Sequence, residues 1–280
     1  MNSKKIFCLC LHEHHLKNLK KINYIPVGLG ANKFSEEWLK DDTGINISNK
    51  NPYYGEYTFY YWFWKNLLNK IEDGTWIGFT GYRYHWAQKN VIKSEEISKN
   101  INSKNFKNFI LKVIPEEWAS HECILGEQIY IDKWKFSKIL KYGKKKFFLN
   151  PKNFYKKNHN IKLHFDIFHG NGNMDKAIKH LNENERNDFS NYVNNRKSFN
   201  RENLFFCRSK RLMNDYFDSV FRWLEKCEKE FGFDLHDYKF KRMYAFLAER
   251  YLGYWFNKYS KPLEWPIFFY DTNKNKLNLS

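Results

Sequence analysis

The fold of this 280-residue chain is decided by residues 51–80, which read NPYYGEYTFYYWFWKNLLNKIEDGTWIGFT. Asn51 and Pro52 are typical of a helix start, with asparagine as the N-cap and proline at the first helical position. The aromatic run that follows is apolar on nearly all sides, which predicts a buried helix over about 52–70. Residues 76–80 then predict a buried strand.

The rest of the chain repeats this alternation of strands and helices. The apolar run 5–11 predicts a first strand. Further strands are predicted over 109–114, 123–131, 162–168 and 203–207, and helices over 133–142 and 175–192. Basic, Asn-rich residues predict a mobile loop over 144–162. Two periodic helices close the chain, the first carrying Phe217 to Phe231 and the second Met243 to Trp255. We therefore expect one α/β domain over 1–280, with an α/β part (1–202) and a mostly helical C-terminal extension (203–280).

Composition narrows the class of protein. Hydrophobic residues make up 42% of the chain, enough for a folded core, and no apolar run reaches the roughly 18 residues of a membrane-spanning helix. The first eleven residues lack a secretory cleavage site, so we expect a cytoplasmic protein. The five cysteines are scattered and form no Cys-x-x-Cys pair, which indicates reduced, buried thiols instead of disulfides or structural zinc.

The charge is strongly positive, with 48 Lys+Arg against 31 Asp+Glu, a formal net charge of +17. Such a balance suggests an anionic partner. Only nine of these cations are arginines, whereas recognition of bases and phosphates by fork geometry favours arginine, so nucleic acid is not the expected partner. We expect weak attraction to an anionic membrane surface. The alternative explanation of the excess positive charge is codon bias toward lysine.

Common catalytic signatures are missing from the sequence. It contains no Gly-x-Gly-x-x-Gly, P-loop, Gly-x-Ser-x-Gly or His-Glu-x-x-His motif, and no Asp-x-Asp. The polar loop 41–51 runs into a helix N-terminus, which suits a phosphate, although a simple capping loop explains it as well. Gly81 to Trp86 follow a predicted buried strand, where Arg83 could pair with a diphosphate or with a structural carboxylate.

Weaker candidates lie elsewhere. Asp166 and His169 end a predicted strand, and either could act as a general base. Arg242 and Glu249 stand seven positions apart, on one helix face, which favours a structural ion pair. His12, His14 and His15 could suggest a metal site, but no carboxylate or cysteine completes a ligand set.

The same regions resemble a known family. The segment DTGINISNKN (42–51), with Glu56 to Thr58 and YWFWKN (61–66), is similar to the pattern D-x-T-G-x-N-I-S-x-K-N…E-L-T…Y-W-x-W-K-N of the family catalogued as domain of unknown function 4422. The stretch RMYAFLAERYL (242–252) is similar to its q-R-v-x-G-F-l-x-E-R-L-L segment. After the second strand the family has H-Y-R-R-Y-F, of which this chain keeps Tyr82 and Arg83.

The resemblance implies a fold and a function. Members of that family are bacterial capsule, exopolysaccharide and O-antigen glycosyltransferases, some of them similar to galactofuranosyltransferases, and the implied fold is of the GT-A type. We expect transfer of a sugar from a nucleotide-sugar, in particular a UDP-linked one, to a hydroxyl of a growing surface polysaccharide, by a protein held at the inner leaflet of the plasma membrane. The rival hypothesis is a non-catalytic, basic module that binds glycan or nucleic acid.

Roles for individual residues follow from these candidates and the resemblance. Asp166 and His169 are the expected bases, and Glu56 is expected to orient the loop. Without Asp-x-Asp, either Asp41 or Asp42 holds a divalent cation (Mg or Mn), or Arg83 and Lys65 compensate the diphosphate charge without metal. The predicted nucleotide-sugar site contains His12, Asp41, Asp42, Asn46, Ser48, Lys65 and Arg83; the predicted acceptor site contains Tyr82, Tyr84 and Trp86.

Overall fold

The computed structural model describes residues 3–89, 93–131, 159–272 and 274. In these ranges the strands are β1 (Lys4–Cys10), β2 (Ile25–Gly28), β3 (Leu39–Lys40), β4 (Trp76–Gly81), β5 (Tyr84–Trp86), β6 (Cys123–Gly126), β7 (Gln128–Tyr130), β8 (Ser198–Asn200), β9 (Phe205–Cys207), β10 (Leu263–Trp265) and β11 (Ile267–Phe269). The α-helices are α1 (Leu16–Lys21), α2 (Asn51–Tyr54), α3 (Tyr57–Asn66), α4 (Ser94–Asn100), α5 (Phe106–Phe109), α6 (Ile161–His169), α7 (Asn173–Ile178), α8 (Glu183–Asn195), α9 (Lys210–Phe231), α10 (Tyr238–Lys241) and α11 (Met243–Tyr259). Short 3-10 turns cover Glu13–His15, Ser48–Lys50, Leu68–Lys70 and Glu116–Trp118.

A seven-stranded mixed sheet forms the framework, in the order β10-β6-β9-β4-β1-β2-β3. Every neighbouring pair is parallel except those of β9, which runs antiparallel to both β4 and β6. The chain leaves β1 toward β2 and β3 on one side and returns to β4 on the other. The strand order therefore reverses between β1 and β4, which is where ligands bind in open α/β sheets.

Hydrophobic layers cover both faces of the sheet, as its parallel strands require. Alternation along β1 turns Phe7 and Leu9 into one core, where they meet α3, α9 and α11. Ile6, Cys8 and Cys10 point into the other. Side chains on the first face interlock as tilted and edge-to-face aromatic rings, for example Phe7 with Phe63 at 5.2 Å between centroids.

Several predicted elements are confirmed. Strands 5–11 and 76–80 are β1 and β4, strand 203–207 contains β9, and strand 123–131 divides into β6 and β7. The closing helices are α9 and α11. The chain after residue 202 also supplies β9 and β10 to the main sheet, so its helices are part of the same layered structure.

The strand predicted over 162–168 is wrong, because these residues form α6. Ile161, His164 and Phe165 lie buried on one side of α6, at the three- and four-residue spacing of a helix. Asn160 caps this helix by accepting a hydrogen bond from the Leu163 N–H at 2.7 Å. The two histidines at 164 and 169 conceal the helical period, because their side chains are buried like apolar ones.

Other boundaries differ too. The predicted strand 109–114 is wrong: α5 ends at Phe109, and one isolated bridge joins Ile110 to Ala87. The predicted helix 52–70 breaks at Gly55 into α2 and α3, and the helix 175–192 divides into α7 and α8. The predicted helix 133–142 lies outside the described residues, as does the predicted loop 144–162 up to residue 158.

Two further observations concern cysteines and membrane spans. All five cysteines are buried thiols. Each helix in the described ranges falls short, in length or in apolar character, of what a bilayer-spanning segment requires.

Candidate functional site

A cleft of about 340 Å³ opens at the carboxyl ends of β1 and β4, at the reversal of strand order. Its walls come from six separated parts of the chain. The lining residues are Leu9, Leu11, Leu29, Asn51, Pro52, Glu56, Thr80, Gly81, Tyr82, Arg83, Tyr84, Glu202, Leu204, Lys241 and Arg242. The mixture of an apolar floor with a few convergent charged groups is typical of small-molecule sites.

Gly81 gives the cleft its depth. A Cβ built on Gly81 would meet only the Leu9 carbonyl oxygen, at 4.0 Å, so the space above this residue is open. The Thr80 hydroxyl donates a hydrogen bond to the Tyr84 carbonyl at 2.6 Å, which closes the turn between β4 and β5. A ligand can therefore approach the backbone of β4 closely.

Positive charge reaches the cleft from two sides. Arg83 lies on the turn after β4, with its guanidinium 5.3 Å from the Tyr82 ring centroid. Lys241 and Arg242 lie at the junction of α10 and α11. These three cations enclose a space suited to an anion such as a diphosphate.

Arg242 is held by a carboxylate and by a glycine. Its Nη2 lies 3.5 Å from Glu56 Oε2. Gly55 has φ 56° and ψ −130°, and a Cβ there would lie 2.1 Å from Nη2 of Arg242. The left-handed backbone and the missing side chain at Gly55 thus make room for the guanidinium.

Two carboxylates, Glu56 and Glu202, line the same cleft. Burial raises the pKa of Glu202 to about 7, and repulsion from Glu249 and Glu56 adds to the effect, while Arg201 and a hydrogen bond from Tyr84 oppose it. Glu202 therefore exchanges its proton close to neutral pH. Perturbation of this kind, in a cleft, is a feature of functional carboxylates.

The backbone that carries Glu202 is strained. Glu202 and Asn203 are consecutive non-glycine residues in the left-handed region, with φ values of 68° and 55°. Such residues cost on the order of 1–3 kcal/mol each and persist only where the surroundings fix them.

Side chains from two helices fix this turn. The Asn203 amide donates to Glu56 Oε1 at 2.5 Å and to the Ala245 carbonyl at 3.3 Å. The Glu202 N–H donates to Glu249 Oε1 at 2.7 Å. Glu249 in turn forms an ion pair with the buried Arg250. The turn is thus held between the start of α3 and α11.

The structure brings three predicted site residues into the cleft: Tyr82, Arg83 and Tyr84. Trp86, predicted with them, is fully buried, and its Nε1 donates to the Phe79 carbonyl at 2.7 Å. Assignment of Trp86 to acceptor binding is therefore corrected: its ring packs against Trp118 and Phe206 in the core.

Asp166 and His169 were predicted to end a strand. They lie on α6 instead, and both are buried. Asp166 accepts a hydrogen bond from the Met174 N–H at 3.4 Å, and the His169 ring stacks on Phe246 with 4.1 Å between centroids. Neither residue lines the cleft. Their assignment as general bases stays a prediction that this placement does not favour.

The loop 41–51 lies beside the cleft, but its predicted ligands face elsewhere. Asp41 is fully buried, accepting hydrogen bonds from the Gly30 N–H at 2.9 Å and the Thr58 hydroxyl at 2.5 Å, and burial raises its pKa. Asn46 Oδ1 accepts from both the N–H and the hydroxyl of Ser48, at 3.2 and 3.0 Å. These bonds organise the loop.

The remaining predicted nucleotide-sugar ligands are exposed: Asp42, Lys65 and His12. The Lys65 ammonium lies 3.2 Å from the Trp64 ring centroid. His12 lies 6.1 Å, ring to ring, from the cleft-lining Tyr82. Its neighbour His15 is buried against the same tyrosine, and burial together with the nearby His14 and His12 lowers the pKa of His15 to about 4.

The donor side chains of the described residues do not form a metal site. In the described part of the chain, no three His, Cys, Asp or Glu side chains come together as a ligand set. Both oxygens of Asp41 are already bonded, and Asp42 is exposed outside the cleft. The predicted Mg or Mn ion on either aspartate finds no support in this geometry.

Four charged cleft residues were not predicted as ligands: Glu56, Glu202, Lys241 and Arg242. Glu56 and Arg242 stand in blocks shared with the resembling family, and the predicted pair of Arg242 with Glu249 is corrected to Arg242 with Glu56. Glu202 belongs to no motif; it stands among the polar residues 201–203, directly before the apolar residues of β9.

Comparisons with known proteins agree with this architecture. The family model described as domain of unknown function (DUF4422) matches residues 5–261. Among solved structures, the apo form of the bifunctional glycosyltransferase WbbM is similar, with a TM-score of 0.65 and 20% sequence identity. The match covers 96% of this chain and 45% of the WbbM chain, so the present chain spans less than half of that protein. No curated protein matches. The predicted GT-A-like α/β fold is confirmed.

Proposed function

The chain belongs to the DUF4422 family, and from this premise we propose that it is a glycosyltransferase whose donor site is the cleft between β1 and β4. The observation that carries the proposal is the convergence of Arg83, Lys241 and Arg242 with Glu56 and Glu202 at the reversal of strand order. The likeness in fold to a bifunctional glycosyltransferase supports it.

The donor is a nucleotide-sugar, and we propose a UDP-linked hexose, with galactofuranose as one candidate, on the strength of the family resemblance. Its diphosphate lies toward the three cations. As the bond between the anomeric carbon and the diphosphate breaks, negative charge grows on the leaving oxygen. Guanidinium and ammonium groups already in place stabilise that charge without reorganisation.

The acceptor is a hydroxyl of a growing capsular or other surface polysaccharide. Tyr82 and Tyr84 line the cleft, and sugars expose C–H faces that pack on aromatic rings. The +17 charge supports a place at the inner leaflet of the plasma membrane, where lipid-linked acceptors are held.

Isothermal titration with UDP, GDP and CMP tests the proposal, followed by a transfer screen over nucleotide-sugars. We expect one nucleotide to bind. In the variant Gly81→Leu the new side chain enters open space, so the fold should keep its thermal stability while nucleotide binding is lost. Arg83→Ala should weaken binding and leave the cleft open.

Two results would contradict the proposal. One is the absence of binding by all three nucleotides at millimolar concentration. The other is equal binding by Gly81→Leu and the unaltered chain, which would place the nucleotide elsewhere. Binding of glycan or nucleic acid without transfer from any donor would favour the non-catalytic binding module.

A further inference from the structure

We propose that Glu202 is the catalytic base that takes the proton from the acceptor hydroxyl; this assignment rests on the proposed function. In the step, the acceptor oxygen forms a bond to the anomeric carbon of the donor. The bond from that carbon to the diphosphate oxygen breaks, and its electron pair leaves with the nucleoside diphosphate. The hydroxyl proton passes to the Glu202 carboxylate.

Position is the first support. Glu202 lines the cleft together with Tyr84 and with the cations that face a leaving diphosphate. The residue as a whole is half-buried and lines the cleft, so it can meet a ligand there and is still partly shielded from bulk water. Tyr84, whose hydroxyl lowers the pKa of this carboxyl group, lines the same cleft on the side where the acceptor is proposed to pack.

The other nearby carboxylates are engaged in fixing the structure. Glu56 accepts from the Asn203 amide at 2.5 Å and pairs with Arg242. Glu249 accepts from the Glu202 backbone N–H at 2.7 Å and pairs with Arg250. Both therefore act on the position and charge of Glu202.

Proton affinity is matched to the task. The charged and titratable groups that face Glu202 are Glu249 from α11, Glu56 from the start of α3, Tyr84 from β5 and the adjacent Arg201. Lys241 and Arg242 complete the cleft. Burial, with Glu249 and Glu56 raising the pKa of Glu202 and Arg201 and Tyr84 lowering it, brings this pKa to about 7. A base works best when its pKa lies near the working pH.

Backbone strain supports the same residue. The turn keeps Glu202 and Asn203 in the left-handed region, which asparagine tolerates and a glutamate side chain disfavours. Hydrogen bonds donated to Glu249, Glu56 and the Ala245 carbonyl, and one accepted from the Tyr60 hydroxyl, oppose relaxation of this turn. Strain maintained by such dense bonding is characteristic of functional sites.

The experiment compares Glu202→Gln with the unaltered chain, using the donor found by the transfer screen. We expect turnover to fall on the order of 10²–10⁴-fold, the usual contribution of a general base, while the donor KM and the nucleotide affinity stay unchanged. The turnover of the unaltered chain should rise with pH to a plateau with a midpoint near 7. Glu36→Gln, at an exposed carboxylate, is the matched control and should behave as the unaltered chain.

A second readout does not depend on transfer. Because the pKa of Glu202 is raised by folding, its ionisation costs stability, which is lost as pH rises from the ordinary glutamate range through about 7. The thermal midpoint of the unaltered chain should therefore fall more over this interval than that of Glu202→Gln. If Glu202→Gln does not fold, the pH profile of Glu202→Asp takes its place, with reduced turnover expected.

The outcomes separate the two proposals. If the unaltered chain transfers sugar and Glu202→Gln transfers equally well, the assignment of the base is wrong and the proposed function stands. A flat pH profile near 7 would overturn the assignment in the same way. If the unaltered chain transfers no sugar from any donor, the proposed function is wrong and the assignment falls with it.

Discussion

Gly55 shows how one residue without a side chain serves the cleft. It separates α2 from α3, and its left-handed backbone turns the chain so that Glu56 faces the cleft. The Arg242 guanidinium occupies the volume where a Cβ would lie. Any larger residue must therefore accept a strained backbone and also displace a cation of the proposed donor site.

Gly55→Ala should consequently affect both stability and binding. We expect the free energy of unfolding to fall by about 1–3 kcal/mol from backbone strain, with a further loss from displacement of Arg242. Nucleotide affinity should fall about tenfold or more, since a charged hydrogen bond contributes about 1.5–3 kcal/mol. Urea unfolding and isothermal titration measure the two effects.

Gly74→Ala is the matched control. Gly74 also has a positive φ, 79°, but a Cβ there would meet nothing within 4 Å. Its substitution should cost about 1 kcal/mol for the backbone alone and leave nucleotide affinity unchanged. Equal effects of the two variants on affinity would show that the position of Arg242 does not matter to the cleft.

The turn between β8 and β9 is the element that positions the proposed catalytic base. Asn203 links it to α3 and α11 through its amide, and its own carbonyl accepts from the Tyr60 hydroxyl at 2.8 Å. A turn held from both sides gives Glu202 one position. Precision of that kind is what proton transfer requires.

Asn203→Gly tests the role of the turn. Glycine adopts the same φ without cost but lacks the amide. We expect the protein to fold, with nucleotide affinity retained and turnover reduced on the order of 10–100-fold, because the base loses its exact placement. Asn203→Ala should show the same loss of turnover. Compared with Asn203→Gly, it should also lose roughly 1–2 kcal/mol of unfolding free energy, because alanine has a β-carbon that the left-handed region disfavours. Full turnover in both variants would contradict a positioning role.

Sequence patterns predicted elements better than they predicted the cleft. Neighbouring residues alone predict β1 and β4 from their apolar runs and α9 and α11 from their periodic apolar faces, because burial imposes a local pattern. The contact between Glu56 and Asn203 joins residues 147 positions apart, and that between Glu56 and Arg242 joins residues 186 apart. No spacing rule within one sequence can show such pairs.

The sequence does not show which carboxylates are bonded within the protein and which line the cleft. Asp41 has the type and place of a ligand, but its oxygens are used within the protein, by Gly30 and Thr58. Glu202 belongs to a short polar step that carries no motif, yet the sheet delivers it to the cleft. Chemical type alone therefore does not separate a carboxylate that is bonded within the protein from one that lines a cleft.

For the whole molecule, the net charge of +17 is the property that separates two explanations of the same sequence. If lysine is abundant only through codon usage, the charges are spread without a target. If the protein works at a membrane, they should hold it there, since each lysine near an anionic surface contributes about 1 kcal/mol. The abundance of lysine over arginine fits a diffuse attraction better than fork-shaped recognition of bases.

Sedimentation with vesicles decides between these explanations. At low ionic strength we expect the protein to sediment with vesicles that contain phosphatidylserine and to stay in solution with vesicles of phosphatidylcholine alone. The bound fraction should fall steadily as salt is raised toward about 1 M, where the Debye length shortens to about 3 Å. Binding that is unchanged by salt, or equal on both kinds of vesicle, would contradict an electrostatic membrane role. Gly81→Leu should sediment like the unaltered chain, because its substitution fills the cleft and leaves the charge of the molecule the same.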